Sequence, residues 1–190
     1  MLLYLHGFAS SPQSLKAQQT REFLEQHFPN TPIHVPALSH EPTLVKAQLC
    51  DWVERQMADG HTVRFMGSSL GGYLASYLSE KYGGKAAIVN PAVRPYELLA
   101  DYVGIQENLY SGETFEVKIE HMDELKSMDT EVIRQPQNFL VLLQSDDEVL
   151  DYRQALWKYQ SAQLIVQEGG DHSFVGFERH LPAIAEFLQL

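Results

Sequence analysis

The segment Gly67-Ser68-Ser69-Leu70-Gly71 sets a serine hydroxyl between two glycines, each two residues away. That spacing suits a sharp strand-to-helix turn that lifts the Ser69 hydroxyl clear of the backbone. Such a turn strains the serine and leaves room only for small residues at the flanking positions. A hydroxyl so exposed attacks acyl carbonyls once a neighbouring base takes its proton. The pentapeptide is short enough to occur by chance, and its setting is what gives it weight. Val63-Arg64-Phe65-Met66 before it reads as a strand, and Tyr73, Leu74, Tyr77 and Leu78 after it recur at helical spacing. A plain glycine turn or a phosphate-binding loop would be the other readings. Against the second, no Lys follows the serine and the Gly-x-Gly-x-x-Gly spacing is missing.

The base should be a histidine on a loop after a late strand. Of eight histidines only His172 fits, in Glu168-Gly169-Gly170-Asp171-His172-Ser173-Phe174 directly after the strand-like run Gln163–Gln167. His27, His61, His121 and His180 fall on helices or their ends and read as solvated. His34 lies in a strand, His40 follows it and is available to line a pocket, and His6 shapes the first loop. The third member must be a carboxylate that fixes the imidazole tautomer, and with this kind of elbow the chain order is Ser, acid, His. The turn Ser145-Asp146-Asp147-Glu148-Val149-Leu150-Asp151 follows the apolar run Phe139–Gln144 and holds four acids. Asp147 is the choice, from its place in an Asp-x-Val pattern, with Asp146 as runner-up. Glu148 should point away, Asp151 reads as the N-cap of the next helix, and Asp171 as a solvated loop charge. The oxyanion should be met by the backbone N–H of Leu70 and by one from the loop His6-Gly7-Phe8-Ala9, assigned to Phe8 with Ala9 as the alternative.

These positions demand a scaffold that brings the ends of several strands together. Short β-rich runs at Leu2–His6, Ile33–Val35, Thr62–Gly67, Ala86–Asn90, Phe139–Gln144 and Gln163–Gln167 alternate with helical patterns at Pro12–His27, Pro42–Ala58, Leu70–Tyr82, Asp151–Tyr159 and Phe174–Leu188. That alternation predicts an α/β protein with a parallel sheet covered by helices on both faces. Pro12 and Pro42 suit first-turn positions of their helices. Residues 91–137 carry no strong strand, only weak helical patterns at 96–102 and 118–128, and read as a small cap or lid inserted into one domain spanning 1–190. This insert and the Tyr73 side of the elbow helix are expected to shape an acyl pocket.

Composition narrows the partners. The net charge is -11, from 25 acids against 14 bases. No Lys/Arg cluster is present to track phosphates, which excludes nucleic acid and an anionic membrane surface as partners. The same lack speaks against a dedicated site for coenzyme A phosphates, and neither Arg64, within a strand, nor Arg94, opening the insert, is assigned one. Cys50 is the only cysteine, in an amphipathic run, and reads as a buried apolar residue. No window reaches the length of a membrane span and the first residues do not form a signal peptide, so a cytoplasmic location is expected. No histidine pair has metal-ligand spacing, so neither metal nor cofactor is expected.

The stretches Leu5-His6-Gly7-Phe8, Gly67-Ser68-Ser69-Leu70-Gly71-Gly72-Tyr73, Asn90-Pro91-Ala92, Tyr110-Ser111-Gly112-Glu113-Thr114, Asp147-Glu148-Val149-Leu150-Asp151-Tyr152 and Gly169-Gly170-Asp171-His172-Ser173-Phe174 together resemble the small bacterial esterases of the YqiA type. The resemblance implies an α/β-hydrolase fold and cytoplasmic esterase activity, including towards acyl-CoA thioesters and short-chain model esters. It implies the triad roles for Ser69, Asp147 and His172. One departure is Asp146, where the family pattern has Gly. The first strand begins at residue 2, so the expected sheet has six parallel strands in the order 2-1-3-4-5-6, without the two N-terminal strands of larger members. The expected function is therefore hydrolysis of a small-molecule ester or thioester through an acyl-enzyme. The alternatives are an acyltransferase or lyase on the same scaffold, or a non-catalytic binding protein. The substrate's acyl group and the oligomeric state are not specified by these motifs.

Overall fold

A computed structural model describes residues 1–108 and 110–190; Leu109, inside the expected insert, lies outside the described residues. The strands in chain order are β1 (Leu2–Leu5), β2 (Ile33–His34), β3 (Arg64–Ser69), β4 (Ala86–Pro91), β5 (Gly104–Glu107), β6 (Thr114–Val117), β7 (Phe139–Gln144) and β8 (Gln163–Gln167). Six of them form a parallel sheet in the order β2-β1-β3-β4-β7-β8, which is the expected 2-1-3-4-5-6. The central strands β4 and β7 are apolar up to their carboxyl ends because both of their faces are covered. Alternate side chains feed two cores. Leu3, Leu5, Phe65, Ile88, Val141 and Leu143 face one, and Leu2, Tyr4, Met66, Ala87, Val89, Leu140 and Leu142 face the other.

The helices are α1 (Leu15–His27), α2 (Pro42–Ala58), α3 (Leu70–Tyr82), α4 (Pro95–Leu98), α5 (Glu120–Lys126), α6 (Tyr152–Lys158) and α7 (Leu181–Leu188). Residues of α2, α3, α5 and α6 pack on the first core, and residues of α1 and α7 on the second. Pro42 opens α2 and Asp151 caps α6, its side chain accepting from the Arg153 N–H, both as expected.

Most strand and helix ends fall within one or two residues of expectation, and three departures are larger. Helix α1 begins at Leu15 rather than Pro12, because Ser14 sits outside helical geometry at ψ 147°. The last helix does not begin at Phe174. That residue adopts φ 65°, outside the right-handed helical region, while its ring is buried in the second core; a single 3-10 turn, Phe177–His180, then leads into α7. The insert is also more than weak helix, since β5 and β6 form an antiparallel hairpin between β4 and β7. Four-residue strands half exposed to water carry too little apolar alternation to stand out in a sequence. Among the described residues, no helix is long and apolar enough to cross a membrane.

Candidate active site at the carboxyl edge of the sheet

The carboxyl ends of β1, β3, β4 and β7 converge where the chain passes from strand to helix or loop. At the end of β3, Ser69 has φ 55° and ψ -123°, a strained conformation for a non-glycine residue. It persists because the turn is clamped on both sides. A Cβ on Gly67 would fall onto the Gly71 carbonyl, and one on Gly71 would fall onto the Leu5 carbonyl of β1. The two glycines thus let three backbone segments approach closely. Helix α3 starts one residue later, directing its N-terminal N–H groups towards the Ser69 side chain's surroundings.

His172 Nε2 lies 3.1 Å from Ser69 Oγ, and His172 Nδ1 lies 3.0 and 2.9 Å from the two carboxylate oxygens of Asp147. An ionised carboxylate only accepts, so Nδ1 carries the proton and Nε2 is left as the acceptor for the serine hydroxyl. The Asp147 side chain is 2% exposed and that of His172 24%. Asp147 Oδ1 also accepts from the N–H groups of Val149 (2.9 Å) and Leu150 (2.8 Å), which fix the carboxylate in its turn. The neighbouring Asp146 faces elsewhere, with its Oδ1 accepting from the Ser145 hydroxyl at 3.0 Å. Three of the expected residues are therefore joined in one line, and the runner-up acid is not part of it. A hydroxyl, an imidazole and a buried carboxylate so aligned can move a proton from oxygen to nitrogen while the oxygen attacks an electrophile.

Phe8 lies in the loop after β1, whose Gly7 packs against Ser69: a Cβ on Gly7 would sit 3.4 Å from Ser69 Cβ. Gly7, Phe8 and Leu70, the last being the residue after Ser69, all line one cavity of about 50 Å³. Leu38, Val45 and Leu74 form one side of it, and Leu99, Val117, Met122, Leu125 and Met128 of the insert close the other. The Phe8 ring meets Tyr102 and Phe115 edge-on at 6.0 and 5.7 Å, and Phe115 stacks on His40, which also lines the cavity. Tyr73 does not line it. Its ring is buried in the core and its hydroxyl donates to the Leu125 carbonyl at 2.6 Å, so it anchors the insert instead.

Other side chains depart from the sequence expectation. His121 is buried rather than solvated: its Nδ1 accepts from the Lys118 N–H at 3.3 Å and its Nε2 lies 3.4 Å from Glu41, while the Lys118 ammonium at 3.2 Å from Glu41 ties the insert to the start of α2. Glu148 turns towards the site, accepting from the His172 N–H at 2.9 Å; the bond from its own N–H, and after it the one from His172, lowers its pKa. Asp171 is half-buried, with Oδ1 sealed from solvent near the ammonium of Lys16. Burial lowers the Lys16 pKa against the opposing pull of Asp171 and Asp147, and its Nζ donates to the Ser173 carbonyl at 2.8 Å. His6 takes the loop-shaping place expected of it. Its Nδ1 lies 3.0 Å from the Gly7 carbonyl and its Nε2 accepts from the Leu38 N–H at 3.4 Å; burial lowers its pKa.

Two residues near His172 were given no role from sequence, although Asn90 belongs to one of the motifs quoted above. Gln144, the last residue of β7, and Asn90, the penultimate residue of β4, are each 3% exposed and both hydrogen-bond the loop carrying His172. The available signal was a lone amide closing each of two apolar strands. Among the described residues, no group of three or more His, Cys, Asp or Glu side chains is arranged to hold a metal ion.

Comparison with known proteins agrees with this architecture. The model of the "Uncharacterised protein family (UPF0227)", the YqiA family whose motifs the sequence resembles, matches residues 1–189. Among solved structures, alpha/beta hydrolase domain-containing protein 10 from mouse superposes with a TM-score of 0.73 at 14% identity, covering 99% of this chain and 89% of that one. Est1E from Butyrivibrio proteoclasticus gives a TM-score of 0.66 at 14% identity, over 99% of this chain and 84% of its own. The esterase domain of a Rhodothermus marinus protein gives 0.68 at 15% identity, over 98% and 85%. At such identities the likeness establishes the α/β-hydrolase fold.

Proposed function

This chain belongs to the UPF0227 family, and from that premise we propose that it is a serine hydrolase of short-chain carboxylic esters or thioesters. The observation that carries the proposal is the unbroken line from Ser69 Oγ through the His172 imidazole to the buried Asp147 carboxylate. In the first step Ser69 Oγ attacks the acyl carbonyl while His172 Nε2 takes its proton. The carbonyl π electrons move onto oxygen, where the backbone N–H groups of Phe8 and Leu70 stabilise them. The tetrahedral adduct collapses by breaking the bond to the alkoxide or thiolate, which leaves with the proton from His172. Water, deprotonated in turn by His172, attacks the acyl-enzyme, releasing the acid and restoring the serine. Asp147 holds the tautomer and stabilises the imidazolium in both halves. That the Rhodothermus marinus neighbour is an esterase domain supports the reaction class.

The cavity supports the short acyl chain. It is small and lined mainly by apolar side chains, which suits a short acyl group. Neither a cofactor nor a metal is part of the proposal, and the net charge of -11 gives a polyanionic partner no encouragement. The test is hydrolysis of 4-nitrophenyl and thioester substrates graded by acyl length, compared with Ser69→Ala. Turnover of two- to four-carbon acyl groups that is lost in the variant is expected; equal turnover by both proteins would refute the proposal.

A further inference from the structure

His172 sits in a stretch, residues 168–176, with no helix or strand of its own. Its place must therefore be set by whatever its backbone bonds to. Two buried amides perform much of that task. Gln144 Oε1 accepts from the Asp171 N–H at 3.1 Å and the Val175 N–H at 2.8 Å, so one oxygen brackets the histidine from both sides. Gln144 Nε2 donates to the Val175 carbonyl at 2.8 Å and to Gln167 Oε1 at 2.9 Å. Asn90 Nδ2 donates to the carbonyls of Asp171 at 3.0 Å and His172 at 3.4 Å, and Asn90 Oδ1 accepts from the Gln144 N–H at 3.0 Å. The Asn90 side chain is thus bonded to the backbone of Gln144 as well as to the loop, and the two residues stand on β4 and β7, which are neighbours in the sheet. The approach is so close that a Cβ on Gly170, at φ 81°, would fall onto Gln144 Oε1.

We propose that Gln144 and Asn90 are positioning residues for the base, suspending the His172 loop from the rigid ends of two central strands. The proposal rests on His172 acting as the base in the reading above. Neither amide lies within the proton path, so each acts through the imidazole's place between Ser69 and Asp147. A catalytic group has to be held within about 0.5 Å of its productive position, and a loop without secondary structure does not supply that alone. Glu148 and Lys16 add single bonds to the His172 N–H and the Ser173 carbonyl from the loop's outer side. The buried amides are the part that ties the loop to the sheet.

The test compares Gln144→Met, close in size and without the amide, with wild type in 4-nitrophenyl butyrate hydrolysis, and repeats the change on a His172→Ala background. The expected outcome is a kcat lowered about 10- to 100-fold with KM within about twofold. On the His172→Ala background the same change should alter the residual rate by less than about twofold, because the group it acts through is gone. General loosening of the fold would lower both rates alike. A folded Gln144→Met protein with kcat within about twofold of wild type, or an equal loss on both backgrounds, would overturn the proposal. Should Gln144→Met fail to fold, Asn90→Gly, which tolerates the φ of 39° at that position, takes its place under the same criteria. Wild-type activity in His172→Ala alone would bring down the hydrolase reading itself, an outcome distinct from failure of the positioning role.

Discussion

Replacing Asp147 by Asn changes one oxygen into an NH2 group and little else. The Asn carbonyl oxygen can still accept from the Val149 and Leu150 N–H groups, as Asp147 Oδ1 does at 2.9 and 2.8 Å, so the turn keeps its shape. The NH2 group is then left facing His172 Nδ1, where a carboxylate oxygen now lies at 2.9 Å. A donor there makes Nδ1 the acceptor and moves the ring proton to Nε2, which lies 3.1 Å from Ser69 Oγ. The imidazole would then present a proton to the nucleophile where it must present a lone pair, and the imidazolium would lose its counter-charge. A wrong-tautomer change of this kind costs about 10⁴-fold in kcat, which at 1.36 kcal/mol per decade is about 5.4 kcal/mol of transition-state stabilisation. Steady-state hydrolysis of 4-nitrophenyl acetate, with a melting curve to verify folding, measures it. Asp146→Asn is the companion variant: that carboxylate is exposed and bonded to the Ser145 hydroxyl, so kcat should stay within about twofold. An Asp147→Asn protein retaining a tenth of wild-type kcat, or an Asp146→Asn protein losing as much as Asp147→Asn should, would refute the assignment.

Other expectations follow from the cavity, the elbow and the first loop. Met122→Ala, on the half-buried wall contributed by α5, removes three side-chain heavy atoms from the cavity lining and should move the acyl-length optimum to longer chains; an unchanged length profile would place the acyl group elsewhere. Gly71→Ala puts a methyl group into the Leu5 carbonyl, so soluble protein with wild-type kcat would contradict the close approach of β1 to the elbow. His6 has a lowered pKa in the folded protein, so the unfolded chain binds the extra proton first as pH falls. Stability should be fully present above about 6.5 and be lost as pH falls through the folded value. Melting temperature followed from pH 8 to pH 5 should fall in wild type and fall less in His6→Asn, and parallel curves would assign the acid sensitivity to other groups.

The sheet was legible because its signals are local. Apolar runs such as Leu140–Leu143 are buried on both faces, and the alternation of strand and helix leaves few topologies. The meeting of Ser69, Asp147 and His172 was legible because each stands at or just beyond the carboxyl end of a strand, in the chain order serine, acid, histidine. The β5–β6 hairpin was hidden in four-residue strands that mix charged and apolar side chains. Long side chains were hidden for a different reason. Nothing in the turn Asp147-Glu148-Val149 tells whether Glu148 faces solvent or the His172 N–H, and nothing local to α5 tells that His121 is buried against Glu41. The insert's weak helical pattern foretold a wall for the cavity but not that Tyr73 would serve as its anchor through Leu125. The pairing of Gln144 and Asn90 with the base loop joins residues far apart in the chain, and only the assembled sheet brings them into contact.

The central claim is that Ser69 is a nucleophile activated by His172, and covalent trapping tests it most directly. The native protein is treated with a fluorophosphonate probe, and intact mass and peptide mapping follow. One adduct per chain, located on Ser69, abolished in Ser69→Ala and strongly slowed in His172→Ala, is the predicted result. Unlabelled native protein, or an adduct on another residue that persists in Ser69→Ala, would contradict the account.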